Sequence, residues 1–592
     1  VTTSEQQHRR SPHDEPHVRR ICALRPELET GLGLADHADA LPAVGPDARA
    51  AVLEANLAWR RDLEAQATTS RDRLLDARVF SASLELHRFV EDEIAAWRHD
   101  PDEVGSLADV LLQQLRGPLP VDDEQRFAGL ASRLRSLRSW LAQARTSATS
   151  TDVFAPSTEL TIRARDVLDG MPELLRAIGD AARGVTAGVA VGVAPSAAPR
   201  QPSPARLPAA LVDDVDAAVD DAGGALDEHR DWLTSLATEP HVPLGVERYD
   251  EILRLRGLDL TASEVLDLGR SVAEEMRVEI TRVLRRGFKG QSLDAALASA
   301  RKNAPLNLPE AVAWTRELVQ QSRAFLLENA AIPLPSPDDA TDELLVDAMP
   351  ATLAPAGQAA AYLPPPPLAP RQQGMLLVRE PPGSQADGLK ELSVADLESL
   401  VASLAFPGRH AQAVWQNRTT TLARRGAMVG GVVGAGAAWG LDMLHGWGLV
   451  AAELMRELAF RHSPASRLLM VRQALTAALV AVADVDLAIG RMTPEETASF
   501  LVRRGGMRLP VARAVVRTLL KAPTTGLSGL VGKVRIEQLR REAHKRWRTG
   551  YSDKRFHALL LVNGPIPLAY LFERLDEPQT YVTDVITAAN RT

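Results

Sequence analysis

Along most of the chain apolar residues return every three or four positions, and convincing alternation with period two is scarce, so the pattern predicts a mainly α protein. Three helix starts carry a mechanism. In TASEVLDLGRSVAEEM, Thr261 can cap and Glu264 can reach back, with Val265, Leu268, Val272 and Met276 forming the buried stripe. In SVADLESLVASLAFPG, Ser393 and Asp396 play similar parts, and Pro407-Gly408 interrupts or ends the helix. In MTPEETASFL, Thr493 caps, Pro494 takes the first helical position and Glu496 completes the box.

Where the pattern fails, it suggests boundaries. Residues 184–208, rich in Pro, Ser, Ala and Gly, offer no apolar stripe and read as a linker. The expected organisation is a flexible arm over 1–20, a helical region over 21–183, the linker, and a larger helical region over 209–592. A second break, Pro-rich over 333–343 and 362–383, brackets one β-prone run, Met375 to Val378, which predicts a small hairpin or edge strand. No repeat of 20 to 50 residues is visible.

Composition narrows the function classes. With 592 residues, 45% hydrophobic and 24% charged, the chain can bury a large core, as roughly four domains of about 150 residues or as one helical body. The 68 Lys and Arg against 76 Asp and Glu leave a net charge of −8, which predicts no strong attraction to nucleic acid or to an anionic membrane. The single cysteine, Cys22, excludes an intramolecular disulfide and Cys-rich metal sites, which fits a reducing, cytoplasmic compartment. No apolar run of secretory type opens the sequence. The small-residue stretch over 426–452 is broken by Asp442 and His445, and reads as a buried segment rather than a membrane span.

The strong local signatures of catalysis, HExxH, paired CxxC, a Walker loop and GxSxG, are absent. The glycines of GGVVGAGAAWG do not fit a dinucleotide fingerprint and read as close helix packing. Asp484 and Asp486, two positions apart on a helix, point to different sides, which predicts one solvated and one hydrogen-bonded carboxylate. The basic run REAHKRWRTGYSDKRF reads as a solvated helix end, not a nucleic-acid surface.

Six segments, LGVERYDEILRLRGLDLTASEVLDLG (244–269), AFPGRHAQ (405–412), HGWGLVAAELMRELAF (445–460), MTPEETASFL (492–501), GLVGKVRIEQLRREA (529–543) and FHALLLVNGPIPLAYLFERL (556–575), follow in the order and spacing of the bacterial domain of unknown function 885 family. Over roughly residues 210–580 the chain resembles that family, which looks mostly helical and zinc-metallopeptidase-like. The resemblance implies a segment of the form HE-x-x-PGHH-x-Q and, downstream, a helix reading GWA-x-Y-x-E. Imidazoles and a carboxylate would hold the metal there, and a Glu would take a proton from its water.

Here Ser403 stands for the first His, Leu404 for the Glu, and Arg409 for the first His of the pair, while His410 remains. Downstream, Val450 replaces the Tyr and Ala452 the ligand Glu, with Glu453 one position late and turned by about 100°. Framework residues Pro407, Gly408, Gln412, Trp447, Asp484, Phe556, His557, Asn563, Gly564 and Pro567 persist. The expectation is a pseudo-metallopeptidase holding no metal and no cofactor. It would bind a peptide or small carboxylate ligand in an inherited cleft lined by Arg409, His410, Trp447 and His557, with no nucleic-acid or membrane partner.

Two other readings stay open. One is an active hydrolase recruiting His410, His445, Glu453 and His557, and the other is a purely structural or interaction protein whose cleft has filled in. Arg409 either receives a ligand carboxylate, pairs with Glu453 or Asp484, or points to solvent.

Overall fold

The computed structural model describes residues 14–591 apart from 103, 151–152, 185–206, 336–341, 351–352, 354–358, 370, 380–384, 428–438 and 579. The architecture is mainly α, as the periodicity predicts, with one three-stranded sheet. Thr261 and Thr493 form the expected capping boxes, and Ser393 caps the Val394–Leu404 helix by accepting from the Asp396 amide. These caps satisfy first-turn amides that would otherwise lack partners.

The sheet comprises β1 (Glu343–Ala348), β2 (Ala360–Leu363) and β3 (Gln373–Val378) in the order β1-β3-β2. The run expected as a hairpin or edge strand is the central one: β3 pairs parallel with β1 and antiparallel with β2. Its sequence explains the position. Leu376 and Val378 point into one hydrophobic core and Met375 and Leu377 into another, so a strand covered on both faces is apolar throughout.

Three cores organise the molecule. The first joins N-terminal Val18, Trp59 and Phe80 to Phe406, Trp447 and Phe556. A second lies between the Ala262–Gly287 and Pro464–Ala488 helices, and the third packs the Asp123–Thr149, Thr158–Ala182 and Ala209–Ser235 helices under the sheet. Packing therefore crosses the expected boundary at 184–208, because N-terminal side chains complete the core of the C-terminal region. Most of that linker lies outside the described residues. The arm expected over 1–20 also needs correction: helix Glu15–Leu24 begins within it, anchored by buried Asp14, which accepts from Trp59 Nε1 at 3.3 Å and Arg73 at 3.0 Å. Residues 1–13 lie outside the described set.

Helix Pro464–Ala488 is, among the described residues, the one long and apolar enough to cross a membrane, but 61% of its apolar window is buried inside the protein. Of the stretch 426–452, the described C-terminal part opens the Leu441–Glu457 helix. That helix crosses Ser528–Trp547 backbone against backbone. A Cβ on Gly446 would lie 2.3 Å from the carbonyl carbon of Gly532, and one on Gly532 would lie 1.8 Å from the Asp442 carbonyl oxygen.

An ionic cluster docks the N-terminal helices on the C-terminal ones. Lys521 Nζ lies 2.8 Å from Asp100 and 2.9 Å from Asp102, whose buried carboxylate also meets Arg163. Arg517 adds a bond of 2.8 Å to Asp166. Although burial opposes ionisation, the Lys521 and Arg163 cations and the Gly105 amide pull the Asp102 pKa down to about 2.

Two outcomes are expected. Replacing Gly446 or Gly532 by Ala drives a methyl into backbone that no rotamer change can move, and should cost about 3 kcal/mol in urea denaturation, the upper end of overpacking penalties. Asp102, depressed when folded, adds stability above its unfolded pKa of about 3.9 and loses it as pH falls toward about 2. Acid titration followed by circular dichroism should therefore show Lys521→Met beginning to unfold at a higher pH than the parent chain.

Candidate functional site

The break after the Val394–Leu404 helix is built by close approach. A Cβ on Gly408 would lie 2.0 Å from the Ser403 carbonyl oxygen, so only glycine lets the chain fold back before the Arg409–Thr419 helix. Trp447, fully buried on the facing Leu441–Glu457 helix, donates from Nε1 to the carbonyls of Pro407 at 3.0 Å and Gly408 at 3.2 Å. Trp447 thus fastens the turn.

His410 is fully buried and both ring nitrogens are engaged. Nε2 donates to the Asp342 carbonyl at 3.0 Å, which leaves Nδ1 to accept from the Tyr362 hydroxyl at 3.0 Å. Burial lowers its pKa to about 4, so the ring is neutral at ordinary pH. His557, also buried, donates from Nδ1 to the Ala331 carbonyl at 3.1 Å and packs its ring 5.8 Å from that of Trp447. Ser403 turns its hydroxyl back on its own helix, donating to the Ser399 carbonyl at 3.0 Å. Of the expected lining Arg409, His410, Trp447 and His557, His410 commits both ring nitrogens within the protein, Trp447 commits its Nε1 to the turn and His557 commits its Nδ1 to the Ala331 carbonyl.

These residues do not fit a zinc ion. Leu404 and Ala452 have no ligand atom, Arg409 is a cation, Ser403 is bonded internally and His410 has no free lone pair. The alternative set does not assemble either: Glu453 pairs with Lys533 at 3.3 Å, and His445 lies among the positive fields of Arg409 and Arg256. Burial and those two guanidiniums hold the His445 pKa well below its usual value. Among the described residues, no group of three His, Cys, Asp or Glu side chains is placed to hold a metal.

Arg409 is half-buried with its Nε unpartnered, and burial lowers its pKa to about 10. Neither expected carboxylate reaches it. Glu453 is taken by Lys533, and buried Asp484 accepts from the amides of Thr524 at 3.0 Å and Gly526 at 2.7 Å. Of the two aspartates expected as one solvated and one hydrogen-bonded, neither is solvated: Asp486 is only 8% exposed and lies 3.7 and 3.8 Å from Arg491 and Arg270.

Sequence reasoning missed a buried pair beneath this region. Arg256 and Asp442 are both fully buried, 3.9 Å apart, and Arg256 also donates to the Thr524 carbonyl and, at 2.9 Å, to the Ser528 hydroxyl. The signal was present: a carboxylate inside a run of small apolar residues has to find a cation or pay the cost of desolvation.

The open space lies elsewhere on the same helices. Between Val394–Leu404, Leu441–Glu457 and Pro464–Ala488 sits a cleft of about 390 Å³ counted out to its mouth, with Ala402 and Ala452 on its walls beside Met455, Phe460 and Met470. Arg409, His410, Trp447 and His557 do not line it. Its polar groups are mostly committed: Glu398 accepts from Ser466 at 2.5 Å, and Arg467 binds Glu279 at 2.8 Å. Arg456 is the exception, 3.9 Å from Glu457 and with a buried, unpartnered Nε.

Comparison with known proteins agrees with this architecture. No curated protein matches the chain. Solved structures share its fold, among them two bacterial proteins. One is described as "a putative lipoprotein of unknown function" from Shewanella oneidensis, at 16% identity and a TM-score of 0.67, covering 95% of this chain and 99% of that one. The other, "the putative lipoprotein" from Colwellia psychrerythraea, has 15% identity and a TM-score of 0.71, covering 99% and 100%. The model of the family described as "Bacterial protein of unknown function (DUF885)" matches residues 26–575, so the match reaches well upstream of the segments that first suggested it, and the chain belongs to that family.

Proposed function

We propose that this chain is a non-catalytic member of its family that binds a carboxylate-bearing ligand, such as the C-terminal residue of a peptide, in the cleft beside Ala452. The observation that carries this reading is that the cleft opens against Ala452, the position where the family resemblance places a ligand carboxylate. Loss of that side chain leaves a methyl wall, which with Met455, Phe460 and Met470 suits an apolar side chain. Arg456, loosely held and one-third exposed, supplies a planar fork of donors for a carboxylate. Leu404, where the family has its Glu, cannot take a proton from water, and the loss of a general base typically costs about 100-fold to 10,000-fold in rate.

A purely structural role is the second reading, favoured by His410, whose two ring nitrogens are both consumed inside the protein. Binding separates the two. N-acetyl-phenylalanine and short peptides ending in an apolar residue should bind the purified chain in calorimetry, and Arg456→Ala should weaken them about tenfold or more, as loss of a charge-assisted bond does, with little change in melting temperature. Ala452→Leu should block the same ligands by filling the cleft. Absence of saturable binding would leave the structural role, and metal-dependent peptide cleavage surviving rigorous purification would overturn both.

Chelator provides an independent check. A chain of this size can bury enough apolar surface to fold alone. EDTA should therefore leave its melting temperature unchanged, whereas a fold assembled on zinc would lose several kcal/mol, of the order of the roughly 10 kcal/mol that structural zinc contributes in small domains.

A further inference from the structure

A second crevice lies far along the chain from the family positions, in the N-terminal half. It opens among the start of helix Pro46–Gln66, the end of Asp123–Thr149, the last turns of Ala209–Ser235 and the segment 97–101, and measures about 560 Å³ counted out to its mouth. Trp97, Phe154 and Trp232 are among its lining residues. Phe154 and Trp232 lie nearly parallel, 13° apart in plane with centroids at 6.4 Å, and Trp97 carries the Arg49 guanidinium 4.5 Å from its ring centroid. Gly45, at φ +99°, brings the backbone to the crevice, where a Cβ would stand 3.0 Å from the Ser147 hydroxyl.

Three observations say what such a crevice would take. His229 is 1% exposed, stacks 5.0 Å from Trp232, and has an Nδ1 without a hydrogen-bond partner. A buried polar atom left unmade is costly, about 1 to 3 kcal/mol, and a ligand group that meets it recovers that cost. Burial, then the nearby Arg145 cation, lowers the His229 pKa to about 4, so the wall there is neutral at ordinary pH. The one carboxylate on the lining, Asp100, is neutralised by Lys521 at 2.8 Å, whereas Arg49 reaches its nearest carboxylate, Glu91, only at 3.8 Å. The lining thus includes aromatic rings, with an unmet hydrogen-bonding atom inside and an under-paired cation at its edge.

We propose that this crevice binds a small aromatic carboxylate, with its ring against the Trp232 indole beside His229 and its carboxylate on Arg49. Ring faces give the area and orientation, since offset and edge contacts between aromatic groups add to simple burial. The Arg49 fork supplies the preference for an acid over a neutral ring.

Calorimetric titration of the full chain with indole-3-acetate and with indole tests the proposal. The acid should bind saturably at one site with a Kd below about 1 mM, and indole about tenfold more weakly. Arg49→Gln should bring the acid down to the level of indole, and Trp232→Ala should abolish both. Arg49 is 39% exposed, so its replacement tests the charge without disturbing the core. Thermal melts identify any variant that fails to fold. No saturation up to about 10 mM, equal affinity for acid and neutral ring, or an Arg49→Gln variant binding like the parent would each overturn it. Arg49 and Trp232 line this crevice and not the Ala452 cleft, so their variants separate the outcome here from that at the cleft.

Discussion

The contact on which this architecture rests is the backbone crossing of the Leu441–Glu457 and Ser528–Trp547 helices. At Gly446 and Gly532 no side chain separates the two, and the helices approach as closely as their main chains allow. Asp442, on the crossing helix, and Arg256 are both buried, and their charges offset one another only in part at 3.9 Å. The crossing also sets the rotation of the first helix. Trp447 then faces the turn carbonyls, and Ala452, five residues later, faces the cleft. A bulkier residue at the crossing would move both.

The histidines of this region serve packing. His410 and His557 each bridge to a main-chain carbonyl, Asp342 and Ala331 respectively. A neutral imidazole with one N–H committed to a carbonyl is a good core group and, once its other nitrogen accepts from Tyr362, a poor metal ligand. The Tyr362 hydroxyl comes from β2, so the small sheet helps to close this part of the interior. Gly374 on β3 completes the arrangement, since a Cβ there would stand 2.9 Å from His410 Nδ1.

The N-terminal helices are part of the same body rather than an appendage. Trp59 and Phe80 enter the core that also holds Trp447 and Phe556, while Lys521 and Arg517 reach across to Asp100, Asp102 and Asp166. Apolar burial supplies most of the attachment, and the partly buried ion pairs set its register. The family match beginning at residue 26 is consistent with that continuity.

Local rules were legible in the sequence alone. Helical periodicity, the Thr261 and Thr493 boxes, the Ser393 cap and the Pro407-Gly408 break depend on residues a few positions apart, and each appears where its pattern placed it. Family membership was legible too, because the order and spacing of the segments carry it. What only the tertiary structure decided depends on residues distant in the chain: that β3 is central, that the N-terminal helices share a core with residues hundreds of positions later, and that the open cleft lies against Ala452 rather than Arg409. The sequence could say that Asp442 and Arg409 were charges needing partners. Which of them found one followed from helix crossing and burial, since desolvation and pairing depend on distances that spacing along a chain does not encode.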